Sequence, residues 1–197
     1  MSLTHFLTLP LKNKEVLKQI NIGDSVYLSG FLVTARDRAH HFFTHHLKEA
    51  TPLIQKLKPY LKKGGIYHCG PIVNLENNQI LSAGPTTSMR EEPYQKQVIE
   101  LFDLVAVIGK GGMGQKTQQA LNCHNSVYLN AIGGAGSYYA KNLKIKEVLM
   151  LSEFGMPEAL WILEVHDFFT LASMVPHQES LHQKVLLESK NNLDSFI

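Results

Sequence analysis

Charge is scarce in this chain. Its 197 residues include 19 Lys or Arg and 17 Asp or Glu, 18% of the total, against an average of about 25%. A free-standing soluble monomer normally carries more, so the shortage marks surface that is not meant to meet water. An excess of either sign is missing too. The formal net charge of +2 is too near neutral for a protein whose main partner is a polyanion, which excludes nucleic acid as that partner. Cysteine is nearly absent. Cys69 and Cys123 cannot frame a set of disulfides and cannot by themselves supply a four-cysteine metal site, so a reducing, cytoplasmic setting is the default. No stretch approaches the ~18 consecutive apolar residues of a membrane span. The opening MSLTHFLTLPLKNK has no basic start, sustained apolar run or small-residue cleavage site, so no secretory signal is expected there.

What is present suits a packed domain. An apolar fraction of 44% and a mean hydropathy of -0.09 fit one domain over residues 1–197, long enough to build its core without staples. Strand and helix patterns alternate. Strands are expected at Leu3–Leu9, Ser25–Thr34, Ile66–Cys69, Gln79–Ala83, Leu104–Ile108, Ser126–Ala131, Val148–Leu151, Trp161–Val165 and Phe168–Met174. Helices are expected at Asn13–Ile20, Ala35–Glu49, Thr51–Lys62 (Pro52 at its first turn), Pro93–Phe102, Gln115–Leu121 and Ser137–Asn142. The segment from Ser189 to Ile197 reads as a polar, frayed tail. The alternation points to an α/β domain with mixed sheets.

Two motifs invite readings that do not hold. Gly109-Lys-Gly111-Gly-Met-Gly114 fits G-x-G-x-x-G between a strand and a helix. It falls past the middle of the chain, however, and no acidic residue stands about 20 positions on to hold a ribose, so a dinucleotide is not expected. What survives is an anion site for something smaller than a pyrophosphate: backbone N–H groups, a lysine and a helix N-terminus. His40, His41, His45 and His46 share one helix, but no carboxylate ligand accompanies them, and the pattern reads as a helix face, not a metal site.

The chemistry sits in three other stretches. Thr34-Ala-Arg36-Asp37-Arg-Ala-His40 spans a strand-to-helix junction. Gly84-Pro-Thr86-Thr87-Ser88-Met-Arg90 joins a Gly-Pro turn, three hydroxyls and an arginine. The third is Gly109-Lys110-Gly111-Gly112-Met-Gly114. In open α/β sheets ligands gather at the carboxyl ends of parallel strands. Three such loops on one rim would place two arginines and a lysine around a small dianion such as a dicarboxylate.

The same stretches carry a resemblance. TARDRAH, CGPIV, SAGPTTSMR, IGKGGMG, NAIGGAGSYYA and EFGMPEALWILEV, spread from about Gly23 to Leu181, resemble in order the β-subunit family of class I fumarate hydratase and L-tartrate dehydratase. The resemblance implies a swivelling β/β/α domain and an iron-sulfur hydro-lyase that adds water reversibly across a dicarboxylate double bond. It implies a [4Fe-4S] cluster held by three cysteines of a separate α subunit and none bound by this chain, in an α2β2 assembly with β–β contact. By position, Arg36, Arg90 and Lys110 match the family's substrate-carboxylate residues and Thr86 its proton-transferring threonine. Asp37 and His40 are candidate supporting residues that orient Arg36 or fix the helix start, and Thr87, Gly111 and Gly112 shape the loops. Fumarate is the first expectation for substrate. An L-tartrate dehydratase β subunit and a non-catalytic relative that binds organic anions are the alternatives.

Overall fold

The computed structural model describes residues 2–194. Nine strands run in chain order: β1 (Thr4–Leu9), β2 (Ser25–Thr34), β3 (Gly65–Tyr67), β4 (Ile72–Asn74), β5 (Gln79–Ser82), β6 (Ala106–Gly109), β7 (Val127–Asn130), β8 (Leu143–Leu149) and β9 (Leu160–Met174). The helices are α1 (Asp37–His45), α2 (Leu47–Leu61), α3 (Glu92–Phe102), α4 (Gln115–His124), α5 (Gly136–Ala140), α6 (Leu151–Phe154) and α7 (Leu181–Asp194). The architecture is α/β with mixed sheets, as the alternation suggested.

Seven strands form one sheet in the order β1-β2-β3-β6-β7-β9-β8, and an added β2–β9 pairing closes it on itself. β1, β2, β3, β6 and β7 are parallel, so their carboxyl ends share one rim. β9 runs antiparallel to β2, with Val33 opposite Ile162, which brings the start of β9 to the same rim. β4 and β5 form a separate hairpin.

Alternation along the strands fills two cores. Tyr67, Ala106, Ile108, Val127, Leu129 and Phe168 point into one. Ile66, Val107, Tyr128 and Ile162 point the opposite way, against Phe43, Leu57, Val98 and Leu121 of α1–α4. Because both faces are covered, β6 reads as an unbroken apolar run. Thr34 is buried between them, its hydroxyl donating to Ala159 O (3.2 Å) and accepting from Trp161 N (3.0 Å). Thr34→Val keeps the shape but strands the Trp161 N–H, and is expected to lower stability by about 1–3 kcal/mol, read as a lower denaturation midpoint.

Several elements differ from expectation. One helix over Ala35–Glu49 is instead broken at His46 (φ -122, ψ 47), and Pro52 lies inside α2 instead of opening a helix. Burial of Ala50, Leu57 and Leu61 along one face of α2 holds the helix across the missing proline N–H. The strand expected at Val148–Leu151 ends at Leu149 and begins back at Leu143. The two strands expected between Trp161 and Met174 are one, β9, which turns through Asp167 (φ 48). The tail from Ser189 is not frayed up to 194: it continues α7. Ser180 and Gln183 form a capping box there, Gln183 N donating to Ser180 Oγ (3.2 Å) and Ser180 N to Gln183 Oε1 (3.3 Å), which nucleates the helix. The rest of that tail lies outside the described residues. Among the described residues no helix is long and apolar enough to cross a membrane.

Candidate active site

The rim gathers the three stretches. Arg36 and Asp37 leave the end of β2, and His68 leaves the end of β3. Lys110 leaves the end of β6. The loop 84–88 adds itself to this rim as a short extra strand between β3 and β6. Thr86 N donates to His68 O (2.7 Å), Lys110 N to Thr86 O (3.3 Å) and Ser88 N to Lys110 O (3.0 Å). Cys69 bridges Pro85 and Thr87 bridges Lys110. Thr86 and Lys110 are therefore backbone partners, although 24 residues apart. The Thr86 hydroxyl donates to His68 O (3.0 Å), which leaves its lone pairs free.

The close approach is fixed by Gly109. A Cβ there would lie 1.9 Å from Ser88 Oγ and 3.2 Å from His68 Nδ1, so only glycine lets the loop dock. Gly111 and Gly112 have φ of 82 and 75, a left-handed course that favours glycine and turns the loop away after Lys110.

Asp37 ties the arginines together. Its Oδ2 is 3.3 Å from Arg90 Nη2 and 4.0 Å from Arg36 Nη2. Arg36 is also held by Glu158 Oε1 (3.3 Å) and Pro157 O (3.3 Å) from the loop before β9. The Arg90 side chain remains 48% exposed, so the cationic rim is open to an incoming molecule. His40 sits beneath, its Nδ1 2.9 Å from Arg36 O, at the point where α1 begins.

Behind the rim runs a buried polar chain. Gln95 Oε1 lies 3.0 Å from His40 Nε2 and 2.8 Å from His68 Nε2. His68 Nδ1 meets Ser88 Oγ (2.9 Å), to which the Tyr128 hydroxyl also donates (2.9 Å). Burial lowers the pKa of both histidines, that of His68 well below its ordinary value with His40 adding to the effect. The chain pins the Thr86–Ser88 loop to α1 and α3.

The anion seat expected at the helix after the glycine loop is not free. Glu92 occupies it: its Oε2 accepts from Gly114 N (2.8 Å) and Thr117 Oγ1 (2.6 Å), and its Oε1 from Lys116 N (3.0 Å). The protein's own carboxylate satisfies the N–H groups that would hold a phosphate. A second glycine loop, after β7, joins the rim instead: a Cβ on Gly133 would meet Lys110 Cδ at 3.6 Å, and Gly136 packs on Gly84. Its sequence, GGAG, carried the signal.

The cysteines do not form a metal centre. Cys69 is buried, its thiol pushed up to about 12 by burial, and Cys123 is exposed on α4. A [4Fe-4S] cluster with one open iron needs three thiolates, and this chain has two cysteines, one buried and one exposed, so its residues do not fit one. Among the described residues no three His, Cys, Asp or Glu side chains group to hold a metal ion. His41 and His45 simply stack, ring centroids 4.3 Å apart.

Comparison with known proteins places the chain in a family. Residues 4–185 match the family described as Fumarase C-terminus. The chain belongs to the fumarase C-terminal family. It is 42% identical over 186 residues to a putative fumarate hydratase class I of Geobacillus stearothermophilus, covering 93% of this chain but 34% of that protein. It is 37% identical over 188 residues to a putative L(+)-tartrate dehydratase subunit beta of Methanocaldococcus jannaschii, covering 93% and 94%. The L(+)-tartrate dehydratase subunit beta of Escherichia coli K12 is 36% identical over 167 residues, covering 82% and 78%. The chain thus spans about a third of the first of these relatives and most of the other two. Within this fumarase C-terminal chain, sequence reasoning missed His68, Gln95 and Tyr128, none of which stands in a charged motif, and the clamp from Glu158; Ser88 was singled out for its hydroxyl but not for its bonds to His68 and Tyr128.

Proposed function

We propose that this chain is the β subunit of an iron-sulfur-dependent hydro-lyase, reversibly adding water to a dicarboxylate double bond, with fumarate to malate as its reaction. It supplies the substrate-binding cations and a proton-transfer threonine. What supports the reading is one geometric fact: Arg36, Arg90, Thr86 and Lys110, from three distant stretches, meet on one open rim. Two guanidinium forks and an ammonium suit two carboxylates. A module that only bound anions would use the cations without needing Thr86.

In this reading Arg36 and Arg90 grip the carboxylates, with Asp37 and Glu158 holding their forks in place. Lys110, whose backbone pairs with the Thr86–Ser88 segment, would add its positive charge to the rim on which the threonine hydroxyl acts. That charge is needed, because a free hydroxyl is far too weak a base at pH 7 to accept a proton from carbon. Thr87, Gly111 and Gly112 shape the two loops. Three cysteines of a separate α subunit would hold the cluster, which would supply Lewis-acid chemistry at the substrate hydroxyl. The chain acts as one domain over 1–197 that swivels to close over that subunit, in a cytoplasmic α2β2 assembly. Exposed Met89, Ile132 and Tyr138, beside Arg90 and the second glycine loop, suit a covered surface. Two curated relatives bear the name of tartrate dehydratase, which makes L-tartrate the second substrate to assay.

The purified chain alone is expected to hydrate no fumarate. Hydration should appear when the cluster-bearing subunit is added. Turnover by the chain alone, with no iron present, would sink the split-site reading.

A further inference from the structure

Glu91 has no place in the scheme above. It follows Arg90 directly, is fully buried (0% exposed), and neither carboxyl oxygen has a hydrogen-bond partner. His40 Nδ1 lies 3.6 Å from its Oε2. Two other orphans belong to the same group: Arg36 Nε and Gln95 Nε2, both buried and without a partner. A buried carboxyl and a buried guanidinium N–H in one cluster, each unsatisfied, are unusual, and each could become the other's partner.

The surrounding charges make the protonation of Glu91 decisive. Asp37 and His40 face it from α1, Arg36 from the end of β2, Glu158 from the loop before β9, and Arg90 lies beside it in the chain. Gln95 and His68 lie behind His40. Arg36 and Arg90 are already balanced by Asp37 and Glu158. An ionised Glu91 tips this group to net negative, against a dianion; a neutral one leaves it balanced, with Lys110 free to add attraction.

We propose that Glu91 is the charge-setting residue of the anion site: neutral, it leaves Arg36 and Arg90 to the dicarboxylate, and ionised, it competes for them, so that the dianion and a proton on Glu91 bind together. The inference rests on the dicarboxylate reading of the rim. Burial, reinforced by Asp37 and only partly opposed by Arg90, pushes the Glu91 carboxyl up to about 8, so the neutral form prevails at pH 7. A raised carboxyl costs the fold stability as pH climbs from the ordinary value towards 8, since the folded chain holds a proton that the unfolded chain releases. Glu91→Gln should therefore raise the denaturation midpoint at pH 8, which a carboxylate kept for structure would not do.

The test is calorimetric binding of succinate, which has no double bond to turn over, to the complex of this chain with its cluster-bearing partner. Titrations run from pH 6.5 to 9 in buffers of different ionisation enthalpy. Wild type should bind about tenfold more weakly at pH 9 than at pH 7, with proton uptake on binding above pH 8. Glu91→Gln should bind with a flat profile over this range and no uptake. Infrared difference spectra of the wild type, which detect a protonated carboxyl directly, should show it lost near pH 8 without succinate and retained with it. This keeps the test open if the variant folds poorly. A flat wild-type profile, or the same alkaline weakening in Glu91→Gln, overturns the inference. Proton-linked binding through Glu91 in a complex that hydrates neither fumarate nor tartrate leaves the inference standing and removes the hydro-lyase reading.

Discussion

Thr86→Ala, assayed in the assembled enzyme, is expected to lower kcat by about 10²- to 10⁴-fold, the range for losing a positioned proton-transfer group. KM should change little. The asymmetry follows from the geometry: the Thr86 hydroxyl donates to His68 O, while the cations that grip carboxylates stand on other residues. The loop survives the change, because it is held by the backbone bonds of Thr86 and Ser88 to His68 and Lys110 and not by that hydroxyl. Thr86→Ser, which keeps the hydroxyl, should recover much of the rate. If Thr86→Ala instead raised KM and left kcat intact, Thr86 would be a binding residue and the proton-transfer role would be wrong.

Arg90→Lys should be nearly as damaging as Arg90→Ala. Lysine keeps the charge but loses the planar fork, and each charge-assisted hydrogen bond is worth about 1.5–3 kcal/mol. Losing one tooth of a bidentate grip therefore costs about 10- to 150-fold in kcat/KM. The same substitution removes the guanidinium that faces Asp37 at 3.3 Å, freeing that carboxylate to repel the incoming dianion. Steady-state kinetics of both variants beside the wild type decide the matter. A lysine variant within threefold of wild type would show that Arg90 acts as a point charge, and the bidentate argument would fall.

Where the sequence was read well, the signal was local. β2 was legible over Ser25–Thr34 because its residues are β-prone and Thr34-Ala-Arg36 ends the run at a helix start. β6 was legible because burial on both faces leaves an unbroken apolar stretch. The rim followed from the parallel order of the strands, since loops at their carboxyl ends must converge. β9 misled because His166 and Asp167 interrupt the apolar pattern like a turn. They are exposed positions on one continuous strand, held by β2 along one edge and by β8 and β7 along the other.

The two glutamates after Arg90 show the boundary most sharply. Adjacent and chemically alike, Glu91 and Glu92 have opposite fates. Glu92 reaches 22 residues ahead to cap α4 and takes the seat that the glycine loop offered an anion. Glu91 turns into the interior beside His40 and finds no partner. Nothing in their spacing distinguishes them.

By itself, then, the sequence determined the α/β alternation, the strand ends that carry Arg36, Thr86 and Lys110, and a charge content low enough to call for a covered surface. These are properties of periodicity, turn chemistry and composition, which act over a few residues or over the whole chain at once. Only the tertiary structure decided which carboxylate neutralises which cation, which helix N-terminus is already filled, and which buried group is left to hold a proton. Those outcomes depend on desolvation and Coulomb terms that vary over a few ångströms between residues far apart in the chain, and no local pattern encodes such distances.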